Sequence, residues 1–199
     1  MGNLETERNI NSIHCWSPDY FANTFGFNQL DKGFIKELAG KRYLFRRISS
    51  SEEFQNVIDI QRKAWDWRDI DIAPTHILAL MDDTGGGIFG AFDDRNELVA
   101  FVAGFGGGTD VLTHKPILIS SMLAVGEKPL RSVGIGRELK LIQAFYAYRN
   151  GYTAMKWFYD PERGENASLN LAKLGARAEE FHIDKYGQMS SGLYGPVPT

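Results

Sequence analysis

Seven consecutive residues, Arg131-Ser132-Val133-Gly134-Ile135-Gly136-Arg137, combine the two things an anion site needs, bare backbone and flanking cations. Gly134 and Gly136 carry no Cβ where the chain turns into a helix, so successive N–H groups can face an anion that the positive end of the helix dipole also attracts. A pyrophosphate has that size and charge. Arg131 and Arg137 flank it, and Arg137 or Lys140 can reach a further phosphate as charge-assisted donors. The competing reading of the same residues is a strand-to-helix turn that needs positive φ and nothing more. Other phosphate motifs fit less well. A dinucleotide fingerprint would place a third glycine at Leu139 and would follow the first strand directly, although Asp160 stands where a ribose acid would. No G-x-x-x-x-G-K-[ST] occurs, so ATP-driven chemistry has no support.

The remaining chemistry-bearing residues are dispersed. His14, His76, His114 and His182 form no ligand pair of the H-E-x-x-H kind, so no metal is expected. Cys15 has no local partner pattern, and G-x-S-x-G, the mark of a serine hydrolase, is absent. Gly85 to Gly87 and Gly106 to Gly108 read as turns, the second standing beside a substrate entrance. Tyr159, Asp160, His182, Asp184 and Tyr186 can line an acceptor side but read first as packing or surface residues.

Positioning the Arg131–Arg137 segment requires a strand before it and a helix after it. Ile117 to Val125, nearly continuous in apolar and small residues, reads as a strand covered on both faces at the middle of a sheet. Arg137 to Tyr148 has Leu139, Leu141, Ile142, Phe145 and Tyr146 at helical spacing, closed by Asn150-Gly151. Upstream, Tyr43 to Ile48 reads as a first strand. Ser49 to Ser51 cap a helix carrying Phe54, Val57, Ile58, Ile60, Ala64 and Trp65, and a second helix follows Pro74. Ile88 to Phe92 and Leu98 to Phe105 form a hairpin. Downstream come a strand Ala154 to Tyr159, a short helix Ala167 to Leu174, and a strand Ala176 to His182. The order is β-α-α-β-β-β-α-β-α-β. Residues 1–40, aromatic-rich among Gly, Asn, Pro and Asp, read as an irregular extension packed on a domain spanning 41–199.

Composition narrows the classes. A chain of 199 residues, 43% hydrophobic and 13% aromatic, can bury the core of one domain. A net charge of −3 gives no basic field for nucleic acid or an anionic membrane. One cysteine precludes an intrachain disulfide framework. Met1 to Asn11 lack the plan of a signal peptide, and no run approaches the roughly 20 apolar residues of a membrane span. The expectation is a cytoplasmic protein with neither nucleic acid nor membrane as partner.

The strand Ile117 to Val125 followed by Arg131-x-x-Gly134-x-Gly136-Arg137 and a long helix resembles the acetyl-CoA-binding motif of the GNAT acetyltransferases. The resemblance runs from about Tyr43 to Phe181. The stretch Asp160 to Ala167 with Asn170-Leu171-Ala172-Lys173-Leu174-Gly175 is similar to a poorly characterised subgroup of predicted GNAT proteins. It implies the GNAT fold, an α/β (α+β) architecture in which a mixed sheet of six to seven strands has helices on both faces. It also implies acetyl-CoA or another acyl-CoA as co-substrate, with acyl transfer to a primary amine, of a small molecule or a peptide, by direct attack. The cofactor site it implies is Leu123, Ala124 and Val125 pairing with pantetheine, then Arg131, Ser132, Val133, Gly134, Ile135, Gly136, Arg137 and Lys140, then Asn166. The N–H of Leu123 is implied as the oxyanion donor. Asn166 has an alternative reading as the N-cap of the following helix. The chain departs from the pattern in three places. Leu171 stands where many members carry a tyrosine acid, Ser120-Ser121-Met122 offer no carboxylate base, and the loop from Val125 to Arg131 is one residue longer than usual. Those departures keep a second reading open, an acyl-CoA-binding sensor or partner module without turnover. A seventh strand near Gly192-Leu193-Tyr194-Gly195 is hard to find, which leaves open a sheet edge completed by a second copy in a homodimer.

Overall fold

The computed structural model describes residues 16–66, 68–183, 185, 189–191 and 195–197. His14, Cys15, Asp184, Tyr186, Leu193 and Tyr194 lie outside them.

The segment read as irregular is regular from residue 17 onward. Ser17 caps a helix by accepting from the Tyr20 N–H at 3.1 Å, Pro18 pre-sets the first turn, and Gly26 closes it with φ 69° (α1, Pro18–Phe25). Three strands follow, β1 (Asn28–Leu30), β2 (Gly33–Leu38) and β3 (Lys41–Arg47), each antiparallel to the last. The aromatics that broke the sequence pattern are what hold this piece: Phe21, fully buried, lies 4.5 Å from Phe145 and 5.2 Å from Phe34, centroid to centroid. Strands of three and six residues show too little alternation to register as strands.

The rest follows the expected order with shifts at the ends. Ser50 caps α2 (Ser51–Trp65) by accepting from the Glu53 N–H, and α3 (Thr75–Asp83) starts after Pro74. Buried Gln61 on α2 braces the intervening loop, bonding both the N–H and the C=O of Ala73. Then come β4 (Ile88–Phe92), β5 (Leu98–Thr109), β6 (Pro116–Val125), a single turn α4 (Lys128–Arg131), α5 (Ile135–Arg149) and β7 (Ala154–Lys156). A turn α6 (Gly164–Ala167) runs into a π-helical segment, Ser168–Lys173, in place of the expected helix Ala167 to Leu174. Two short strands, β8 (Met189–Ser191) and β9 (Gly195–Val197), pair with each other.

Strands β1 to β7 form one sheet in sequence order, antiparallel throughout except for the parallel pair β6–β7. Alternation along β5 splits the core. Phe101 joins Phe54, Val57, Leu78 and Met81 under α2 and α3, while Val102 joins Phe21, Phe45, Leu139 and Ile142 under α1 and α5. Helices therefore cover both faces.

Four expectations are corrected. β6 is next to the edge, not at the middle, because the N-terminal strands add to the far side and, among the described residues, nothing pairs beyond β7. Gly106 to Gly108 lie inside β5; a Cβ at Gly106 would strike the Thr84 carbonyl and the Tyr152 hydroxyl, so glycine is needed for close approach rather than for a turn. Ala154 to Tyr159 keeps strand form only to Lys156. Ala176 to His182 forms no strand: Phe181 is 76% exposed, so the segment has no buried face to hold it on the sheet. Among the described residues no helix is long and apolar enough to cross a membrane.

Candidate active site

The site is built on what β6 does after it leaves β7. The two strands pair at Ile117↔Ala154, Leu118↔Met155 and Ile119↔Lys156, and no further. β6 continues through Ser120–Val125 with β5 on one side, at Val102↔Leu123, Phe101↔Ala124 and Ala100↔Val125, and with no strand on the other among the described residues. Ser121 is the extra residue of a bulge, since Ala103 pairs with Met122 and Gly104 with Ser120. Leu123, Ala124 and Val125 lie in this opened stretch, and an unpaired strand edge is a template for an extended ligand.

The glycine segment closes the open end of that cleft. Gly134 is the N-cap of the 15-residue helix α5 with φ 101°, a conformation that favours glycine. A Cβ built there meets nothing within 4 Å, and one built at Gly136 touches the Leu123 side chain at 3.5 Å, so the helix start abuts β6. The N–H groups of Gly134, Ile135 and Gly136 have no acceptor among the described residues, whereas those of Arg137 and Glu138 bond the Gly134 carbonyl. Three free N–H groups at the positive end of a long helix, with open space in front, suit a pyrophosphate. The positive φ that the turn reading requires is present, and it is compatible with the anion reading.

The flanking side chains are less available than the sequence suggested. Arg131 spends its guanidinium on two carbonyls, Val125 at 3.3 Å and Ala64 at 3.1 Å, tying the end of β6 to the end of α2. Arg137 is half-buried and lies 2.8 Å from Glu138, a buried carboxylate that also takes Lys36 at 2.8 Å. Ser132 is exposed and Val133 packs on the α5 core.

Lys140, read as a donor to a further phosphate, is buried away from the loop's open space. It lies one turn beyond Gly136 on the same side of α5, is 5% exposed, and donates to Ser120 Oγ at 2.6 Å with its ammonium 4.2 Å from the centre of the Trp157 ring. Burial pushes its pKa down to about 7. Ser120 is the first β6 residue past the last pair with β7, and Trp157 the first residue after β7, so this ammonium sits where the strands part. Only a helical phase set against β6 shows this; a lysine among Ile135, Leu139 and Ile142 on a buried helix was the one signal in the sequence.

Trp157 is fixed by Asn170, a buried side chain that accepts from Trp157 Nε1 at 2.8 Å and donates to the Asn166 carbonyl at 2.9 Å. Asn166 itself lies within α6, whose N-cap is Arg163, so its N-cap reading falls. Leu171, in the place of a tyrosine acid, is 45% exposed. Asp160 is occupied by the Glu162 N–H and Arg163, and His182 faces Glu180. Among the described residues no group of three or more His, Cys, Asp or Glu is placed to hold a metal.

No family model and no curated protein sequence matches the chain. Solved structures do. An aminoglycoside acetyltransferase from an uncultured soil metagenomic sample, solved with trehalose, superposes with a TM-score of 0.56 at 17% identity over 70% of this chain and 93% of that one. An aminoglycoside N-acetyltransferase solved with CoA gives 0.58 at 15% over 72% and 93%. Glucosamine-6-phosphate N-acetyltransferase from Arabidopsis thaliana gives 0.55 at 10% over 73% and 98%. The chain has the GNAT fold.

Proposed function

We propose that the chain is an acyl-CoA-dependent N-acyltransferase that moves an acyl group, acetyl in the simplest case, from the thioester to a primary amine by direct attack. The observation that carries this reading is the meeting of an opened β6 edge with a helix start whose three N–H groups have no partner among the described residues. Acetyltransferase neighbours in the structural comparison, one solved with CoA and another with the aminoglycoside sisomicin, support it.

On this reading the backbone from Ser132 to Arg137 holds the pyrophosphate, and Arg137 is the side chain near enough to exposure to meet a phosphate. Leu123, Ala124 and Val125 pair with pantetheine as an added strand, and Asn166 contacts it from α6. The Leu123 N–H donates to the thioester carbonyl oxygen, where negative charge grows as the amine attacks. The nitrogen–carbon bond forms, the carbon–sulfur bond breaks, and the amine's proton passes to water as the thiolate departs. Positioning is the main requirement, because a thiolate leaves without a strong acid.

A second reading, an acyl-CoA-binding module without turnover, is favoured by Leu171 in the tyrosine position and by the lack of a carboxylate in Ser120-Ser121-Met122. Calorimetry with acetyl-CoA, run beside a thiol-release assay over aminoglycosides, aminosugars, polyamines and peptides, separates them. Binding with amine-dependent release is the expected result. Binding without release supports the module, and no binding contradicts both.

A further inference from the structure

A pocket of about 340 Å³ opens between β7 and the later turns of α5. One wall is the face of the helix that carries Lys140, Leu141, Ala144, Ala147 and Tyr148, residues spaced three and four apart. Thr153, Ala154 and Met155, at the start of β7, form the other. Among the described residues that line it, none belongs to 120–125 or 131–137, so the pocket is distinct from the opened β6 edge and from the glycine segment. From Lys140 to Tyr148 the helix rises about 12 Å, away from that segment.

The lining is aromatic and apolar, with the rings of Trp16, Tyr148, Tyr152 and Trp157 around it. One charge is set among them. The Lys140 ammonium donates to the neutral Ser120 hydroxyl at 2.6 Å and lies 4.2 Å from the centre of the Trp157 ring, and no carboxylate pairs with it among the described residues. An ammonium has three donors, and Ser120 takes one. A buried ammonium without a countercharge is costly, which is why burial lowers its pKa to about 7. An amine, itself a cation, is repelled from such a place, whereas a carboxylate offsets the cost and accepts a bond. The volume is at the lower end of small-molecule pockets, enough for one ring system on a short chain.

We infer that this pocket is a second ligand site, taking a small aromatic carboxylic acid whose ring lies between the α5 face and β7 and whose carboxylate accepts from Lys140 Nζ. The acid and an acyl-CoA occupy different ends of α5, so either binds without the other.

Calorimetry on the full chain with phenylacetate, 3-phenylpropionate and indole-3-acetate, each beside its carboxamide, tests this. Acid and amide share a ring and a length and differ in charge. The acid that fits best is expected to bind about tenfold or more tightly than its amide, the margin of a charge-assisted contact out of water, and to bind equally well with acetyl-CoA in excess. Lys140→Met, checked for folding by circular dichroism, is expected to erase the preference. Ala144→Trp, checked in the same way, fills the pocket from the helix side and is expected to abolish binding of acid and amide alike. No measurable binding of any of the three acids overturns the inference, and so do equal wild-type affinities for acid and amide. A preference that survives in Lys140→Met, or an unchanged affinity in Ala144→Trp, overturns it as well. Displacement of the acid by acetyl-CoA would put the acid in the β6 cleft and overturn it too, leaving the acyl-CoA reading standing.

Discussion

Lys140 carries its own pH signature, and it follows from burial alone. In the unfolded chain it titrates near 10.5, and in the folded chain at about 7. Between those values the unfolded state holds a proton that the folded state lacks, so stability rises with pH across this window and falls as pH drops toward 7. Lys140→Met removes the effect. The variant is expected to melt higher than wild type, with a larger gain near pH 7 than near about pH 10 in parallel calorimetric scans; an equal gain at both would mean that Lys140 titrates normally. At this scale the sequence was informative about the backbone and poor on side chains. Gly134 and Gly136 were readable because a missing Cβ is a local property. The guanidinium of Arg131 goes to the carbonyls of Val125 and Ala64, and the latter is 67 residues away, an acceptor no local pattern names.

Among the elements, β7 is short and that is what opens the cleft. It stops at Lys156 because Trp157 turns away from β6 to bond Asn170 on the π-helical segment. Asn170→Ala removes the partner of a half-buried indole N–H and the brace on the Asn166 carbonyl. A loss of about 1–3 kcal/mol in denaturant unfolding is expected, the cost of leaving such a donor unsatisfied. An unchanged midpoint would show that Trp157 is held by other contacts. The strand Ile117 to Val125 and the helix after Gly134 were legible from their apolar spacing. The pairing that ends at Ile119, the bulge at Ser121 and the π-helical turn were not, because each depends on a partner strand or on tertiary packing rather than on periodicity.

For the molecule as a whole, two apolar layers enclose a seven-stranded sheet, and the N-terminal piece supplies part of one of them. Phe21, fully buried against Phe25, Phe27, Phe34 and Phe145, was visible in the sequence only as one aromatic of an irregular stretch. Phe21→Ala is expected to cost about 3–5 kcal/mol of unfolding free energy by denaturant titration, and a cost near zero would mean that this layer is dispensable. The GNAT fold was legible because its strand, glycine turn and helix are contiguous. The strand order at both sheet edges was not, since residues 28–38 fill one edge and 176–182 fail to fill the other. The central claim, that an acyl-CoA pyrophosphate lies on the backbone at the start of α5, is tested most directly at Gly134 by measuring acetyl-CoA affinity for Gly134→Glu beside Gly134→Ala. Both variants carry the strain of a side chain at φ 101°, about 1 kcal/mol or more, but only glutamate sends bulk and negative charge into the open space before the N–H groups. The account predicts that both stay folded by circular dichroism, that the alanine variant still binds acetyl-CoA, and that the glutamate variant does not. A folded Gly134→Glu protein with wild-type affinity would contradict it.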